Sequence, residues 1–286
     1  KFRLRSLDRV KYTLRRLHFN MFDKLLLPID PSKRLKPARD YAVALAQKFD
    51  ISLTAIFVSN PSKTGTVTAS KDTRDGIVAL GKRQLEQFVE ETKEIKVKSV
   101  LKTGVRHEVL SKMVDDGNAD TLILGPFRSF LTRLFTGSEV ERILDSESSH
   151  AFVVRKSHPL PGPGSPALIV FDGKSLSKSA LQSIENFARK FNCDLELLYL
   201  SSKVLHDAEK IDTAVSELRN NLGEGFHVTS TIEPLSFFKT RKSVTNSVVS
   251  LEGARIVLLP NIDSAVSDIL LHQLVLSASV PVCVLK

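Results

Sequence analysis

Short apolar runs alternate along this chain with longer stretches in which apolar residues recur every three or four positions, and the alternation is played through twice. The run 24–30 (Lys24, three leucines, Pro28, Ile29, Asp30) reads as a buried strand entering a loop. Pro37 then marks a helix start, with Ala38, Tyr41, Ala42, Leu45 and Phe49 on one face. Residues 53–58 return to a strand, completing a β-α-β unit that favours parallel strands bridged by a helix. The pattern continues with a loop over 59–71, a helix over 73–92 and a strand over 95–100. A helix over 106–116 and strands at 121–125 and 151–154 follow. The second round places strands at 167–172 and 195–200 around a helix using Leu176, Ala180, Leu181, Ile184, Phe187 and Phe191. It then gives strands at 229–232, 256–259 and 281–285, and a short helix at 241–251.

The two rounds share more than their order. Asp30, Ala46, Lys48, Phe49 and Leu53 correspond to Asp172, Ala188, Lys190, Phe191 and Leu195 at a constant offset of 142 residues. A fixed offset across strand, helix and next strand points to duplication of one fold unit. Between the copies, Pro159, Pro161, Gly162, Pro163, Gly164 and Pro166 interrupt regular structure as a linker does. The expected organisation is a basic N-terminal extension over 1–21, a first domain over 22–158, a linker over 159–165 and a second domain over 166–286. Each domain is expected to carry a largely parallel five-stranded sheet covered by helices. The strands at 151–155 and 281–285 offer edges for pairing, either between the domains or between two chains in a homodimer.

Composition bounds the partners. At 42% hydrophobic and 26% charged, the 286 residues suit two folded domains. The net charge is +9, but seven cations against Asp8 in residues 1–20 supply +6 of it. The basicity is therefore an arm, with Leu4, Leu7, Leu14 and Leu17 at roughly helical spacing, and not a property of the folded body. The arm leaves contact with its own domain, a protein partner, a membrane or nucleic acid open, with no reader motif for the last. No run approaches transmembrane length and no signal-peptide core follows the charges, so a cytoplasmic location is expected. Cys193 and Cys283 each sit in an apolar run and read as buried free thiols. His107, His150, His206, His227 and His272 are scattered without metal-ligand spacing.

The strongest chemical signal is the segment Gly125, Pro126, Phe127, Arg128, followed by Gly137 and Ser138 at the start of a helical run. Gly125 ends an apolar strand, where a backbone can approach a ligand closely or simply turn. Ser138 can cap the next helix, whose free N–H groups also suit phosphate oxygens. Arg128, Arg133 and Arg142 are candidates for neutralising phosphate charge. The segment is neither a P-loop with its lysine nor a G-x-G-x-x-G fingerprint. Asp30 can cap a turn or the following helix or meet a ligand, and Ser32 can cap the first helix or contact a ligand. No local triad activates a nucleophile, so no residue is assigned a catalytic role, and slow hydrolysis of a bound phosphate compound is left open.

On residues 24–30, Gly104, Asp120 to Gly125, Gly137 to Leu144 and Phe152 to Val154, the chain resembles tandem universal stress proteins. That resemblance implies two tandem domains of the adenine-nucleotide-hydrolase-like α/β fold. It places Asp30 by the adenine or its sugar, Val58 at the end of the second strand against adenine, and Gly125, Gly137 and Ser138 around ribose and phosphates. Arg128 stands where the family has a middle glycine, and eight residues rather than nine separate it from Gly137. The second copy keeps Asp172 and Gly173 but leaves its fourth strand through Leu259, Pro260 and Asn261. It is five residues shorter between its fourth and fifth strands, and no glycine follows Asn261. The expectation is an ATP-binding stress-response or regulatory protein acting through its first domain, with Mg²⁺ as a companion of the phosphates and a regulatory protein as partner. A non-nucleotide stress-signalling adaptor or structural scaffold is the alternative.

Overall fold

The structure, a computed structural model, describes residues 22–60, 71–125, 149–171, 176–201, 208–222, 225–234, 255–260 and 278–285. The first half runs β1 (Lys24–Pro28), α1 (Lys36–Phe49), β2 (Ser52–Ser59), α2 (Lys71–Glu91), β3 (Val97–Thr103), α3 (Arg106–Asp115), β4 (Thr121–Leu124) and β5 (His150–Val153). The second runs β6 (Ala167–Phe171), α4 (Lys178–Phe191), β7 (Leu195–Ser201), α5 (Ala208–Leu222), β8 (Val228–Pro234), β9 (Ile256–Pro260) and β10 (Val282–Leu285). Helix α5 has no counterpart in the sequence reading, although Ile211, Ala214, Val215, Leu218 and Leu222 are buried at helical spacing. The helix expected at 241–251, the loop at 61–70 and the basic arm lie outside the described residues.

Where the sequence suggests two five-stranded sheets, the strands form one ten-stranded sheet in the order β3-β2-β1-β4-β5-β10-β9-β6-β7-β8. The order in the second half mirrors that in the first. Pairing is parallel within each half. The join is antiparallel, with Val153, Phe152 and Ala151 of β5 opposite Val282, Cys283 and Val284 of β10. Both last strands thereby satisfy each other's edge within the chain, and the outer edges are β3 and β8. Inner strand β1 tolerates Pro28 because of where the missing donor falls. Ile29 donates to Ile56 of β2 at 2.7 Å, so the Pro28 nitrogen faces β4, whose pairing with β1 has stopped at Leu26.

The period of two along each strand divides the core between two faces. Leu25, Leu27 and Ile29 join α1, α2, α4 and α5 on one side, and Leu26 joins α3 residues Leu110, Met113 and Val114 on the other. Each apolar cluster runs without a break from one half into the other. On the first face the halves meet through rings: Phe49 and Phe191 stand edge to face with centroids 5.0 Å apart, and Phe187 stacks on Phe191 at 4.4 Å. Phe22 lies 5.0 Å from Phe152 and 5.9 Å from Phe187. Two equivalent lysines flank this seam. Lys190 Nζ reaches the Phe22 carbonyl and the Asp23 carboxylate, at 3.3 and 3.2 Å, and Lys48 Nζ donates to the Pro161 carbonyl at 2.8 Å.

That last bond changes the picture of the segment expected as a linker. Residues 162–165 make a tight turn in which Ser165 donates to the Gly162 carbonyl, with Pro163 and Gly164 in the middle and Gly164 at φ 69°. Proline then a left-handed glycine is the order a type II turn requires. The proline-rich stretch is thus shaped by its own turn and held by Lys48.

Candidate functional site

The exits of β1, β2, β3 and β4 come to one carboxyl edge, because parallel strands all point their C-terminal ends the same way. Asp30 lies two residues past β1. Its Oδ1 accepts from Ser32 N at 2.7 Å, closing an Asx turn, and Ser32 Oγ accepts from Arg34 N at 3.3 Å. Leu35 N donates to the Ser32 carbonyl at 3.0 Å. This succession of small turns delivers the chain to α1, whose N-cap residue Leu35 makes no side-chain cap and whose first turn contains Pro37. Lys33–Leu35 form a 3-10 turn that runs directly into α1, so the hydroxyl of Ser32 caps the helical segment through that turn.

Val58 is next to last in β2 and is buried on the face shared with α3. Its neighbour Ser59 accepts from Gly104 N at 2.9 Å, which ties the exit of β3 to the end of β2. Two residues later Arg106 opens α3, a helix that also lacks a side-chain cap at its N-cap residue Val105. Arg106 Nη1 reaches back to Asp30 Oδ2, 3.9 Å away, with the two side chains only 18% and 16% exposed. Sequence reasoning did not single out Arg106. The usable signal was Gly104, which ends the third strand and so puts the first residues of α3 on the edge that Asp30 occupies.

Gly125 follows β4 on the same edge, and its missing Cβ has a use that is visible in the packing. A Cβ there would fall 2.9 Å from Leu35 Cδ1 and 3.4 Å from the Ala38 Cβ, so Gly125 lets the start of α1 rest against the strand exit. Asp30, Val58 and Gly125 thus share one edge of the sheet. Arg128, Gly137 and Ser138 lie outside the described residues.

The opposite edge is structural. Asp120 Oδ2 accepts from Asp23 N and Lys24 N, both at 3.0 Å, and Oδ1 accepts from Thr121 Oγ1 at 2.7 Å. Burial pushes its carboxyl above the usual range, against the pull of those donors. Asp120 therefore fastens the entry of β1 to that of β4. Both cysteines are free and buried, and burial raises Cys193 to about 12 and Cys283 well above the ordinary thiol value. Neither is a reactive thiolate. Among the described residues, no group of three His, Cys, Asp or Glu side chains is placed to hold a metal ion, and no helix is long and apolar enough to cross a membrane.

Residues 21–155 match the Universal stress protein family, which accounts for the first half of the chain as a domain of that kind. A universal stress protein of Methanocaldococcus jannaschii is 24% identical over 144 residues, covering 48% of this chain and 84% of its own. Among solved structures, a universal stress protein from Archaeoglobus fulgidus superposes with a TM-score of 0.71 at 17% identity, over 94% of this chain and 97% of its own. A putative universal stress protein from Pseudomonas aeruginosa superposes with a TM-score of 0.60 at 11% identity, over 93% of this chain and 94% of its own. At such identities the likeness is one of fold, and it extends over both halves.

Proposed function

We propose that this protein is a cytoplasmic, adenine-nucleotide-binding regulator of the universal stress type, with ATP held at the carboxyl edge of the first half. The second half then acts as a supporting or regulatory domain. The observation that carries the reading is the convergence of Asp30, the end of β2 at Val58 and the close-packed exit at Gly125 on one edge. That edge also carries the start of α3, whose extended N-cap residue Val105 makes no side-chain cap. A carboxylate suits the amino group of adenine or the hydroxyls of ribose, which only donate to it. An uncapped helix start suits phosphate oxygens, and Gly137 and Ser138 are the residues proposed to add further backbone donors. Mg²⁺ would enter with the phosphates, since the edge offers no protein cage for it among the described residues.

Calorimetric titration with ATP, ADP and AMP, with and without Mg²⁺, tests this directly. Saturable ATP binding is expected, weakened about tenfold or more in folded Asp30→Asn and Gly137→Trp proteins. Absence of binding at millimolar nucleotide, or affinity indifferent to both substitutions, overturns it. Product analysis of the same samples separates binding from turnover. A second reading, a nucleotide-free signalling adaptor or scaffold, is favoured by one observation: Leu35 already fills the space beside Gly125.

A further inference from the structure

We infer that Arg106 sets how readily the Asp30 edge accepts a nucleotide, by holding the carboxylate until a ligand displaces the guanidinium. The inference rests on the nucleotide reading above and adds to it a residue that controls affinity. Sheet order makes the contact unusual, since β1 and β3 flank β2 on either side. Asp30 leaves β1 and Arg106 follows β3, so their 3.9 Å contact crosses over the exit of β2, beside Val58 and Ser59. That is the floor on which the base or sugar of a nucleotide would sit between Asp30 and Val58.

The charge balance at Asp30 then favours the closed arrangement. Oδ1 is engaged by the backbone at Ser32, and Oδ2 is the oxygen turned toward Arg106. The donors that a nucleoside brings to Asp30, an amino group or a hydroxyl, are neutral. The guanidinium brings a full charge to within 3.9 Å of that oxygen, beyond hydrogen-bond length, so it holds the carboxylate by charge attraction. With both side chains less than a fifth exposed, solvent screens the pair less than it screens a surface ion pair. A nucleoside must therefore compete with Arg106 for the same oxygen and for the same space over β2. Asp30→Asn leaves Arg106 without that partner but also removes the acceptor, so the informative substitution is at the arginine.

Adenosine, AMP and ATP are titrated into the full chain and into its Arg106→Met variant at low and high salt, with urea unfolding to establish that the variant is folded. Methionine keeps the length and apolar stem of the arginine without its charge. The variant is expected to bind adenosine and ATP about fivefold more tightly, by a similar factor for each, because the competition is at the nucleoside. Because salt screens this largely buried pair only weakly, the variant's gain for adenosine, which carries no charge, is expected at both salt concentrations. Equal or weaker binding by the variant overturns the inference, and a loss that grows from adenosine to ATP assigns Arg106 to the phosphates instead. Binding by the parent with no gain in the variant sinks this inference alone. Binding by the variant but not the parent upholds it and sinks the proposal that the parent binds ATP. Silence in both sinks both.

Discussion

Helices α1 and α4 lie 142 positions apart, and each runs for 14 residues. Both stop on a left-handed residue, Asp50 at φ 49° and Asn192 at φ 50°, and the next residue donates back to an alanine carbonyl, Ile51 to Ala46 and Cys193 to Ala188. Their last turns carry the same Lys-Phe pair, and these pairs meet: Lys48 lies 5.2 Å from the Phe191 ring and Lys190 5.3 Å from the Phe49 ring. Their first turns share Lys36 with Lys178 and buried Ala38 with Ala180, but their caps differ. Helix α4 starts at Ser177, whose Oγ accepts from Ala180 N at 3.1 Å, whereas α1 starts at Leu35 with no side-chain cap. The duplicated helix is thus kept alike where it builds the seam and allowed to differ where, in the first half, it borders the candidate ligand edge.

If the shared ends bind the halves together, Phe191→Ala is the most damaging change available to them. Phe191 is 1% exposed and touches Phe49, Phe187 and Phe22, so its truncation is expected to cost about 3–5 kcal/mol. Phe49→Ala should cost less, because Phe49 is only half-buried. Urea unfolding measures both, and a single transition shifted in each protein is expected of halves that share two continuous cores. A loss below about 1 kcal/mol for Phe191→Ala would break the view that the common ends carry the seam.

The seam also carries a pH dependence. His150 opens β5 with its ring 5.6 Å from Phe22, and burial lowers its pKa from 6.5 to about 4. Between those values the unfolded chain binds the proton and the folded chain does not, so stability falls as the pH drops from about 6.5 toward 4. The full loss is up to about 3 kcal/mol. His158, lowered by desolvation, works in the same direction. Asp120 works in the opposite one, since a carboxyl raised in the folded state favours folding on acidification. His150→Leu separates them: stability measured at pH 7 and pH 5 should differ less in this variant than in the parent. An unchanged difference would remove His150 from the account.

Much of this organisation was open to reading in the sequence. The apolar runs located strands because parallel strands covered on both faces are apolar almost throughout, and the 142-residue offset found Lys48, Phe49, Lys190 and Phe191. What the offset could not tell was that the equivalent pairs touch, since that depends on β5 and β10 joining edge to edge rather than with another chain. Helix α5 was missed although its buried positions follow the helical period. Arg106 was hidden for a topological reason: it is 76 residues from Asp30, and only the order β3-β2-β1 brings them within reach. At Gly125, which the sequence reading offered for close approach to a ligand or for a turn, the group that approaches is Leu35.

The smallest effect tests the unlike ends. Ser177→Ala removes the hydroxyl that accepts from Ala180 N and leaves that donor at a helix start, which typically costs about 1 kcal/mol. Ser179 Oγ lies 2.9 Å from Ser177 Oγ, so the two hydroxyls are hydrogen-bonded to each other. A shift in the urea midpoint at constant slope is therefore expected for Ser177→Ala, also in the Ser179→Ala background. If Ser177→Ala changes nothing even in the Ser179→Ala background, α4 needs its cap no more than α1 does. The different start of α1 at Leu35 would then say nothing about a ligand, and the nucleotide reading would rest on Asp30, Val58, Gly125 and the start of α3.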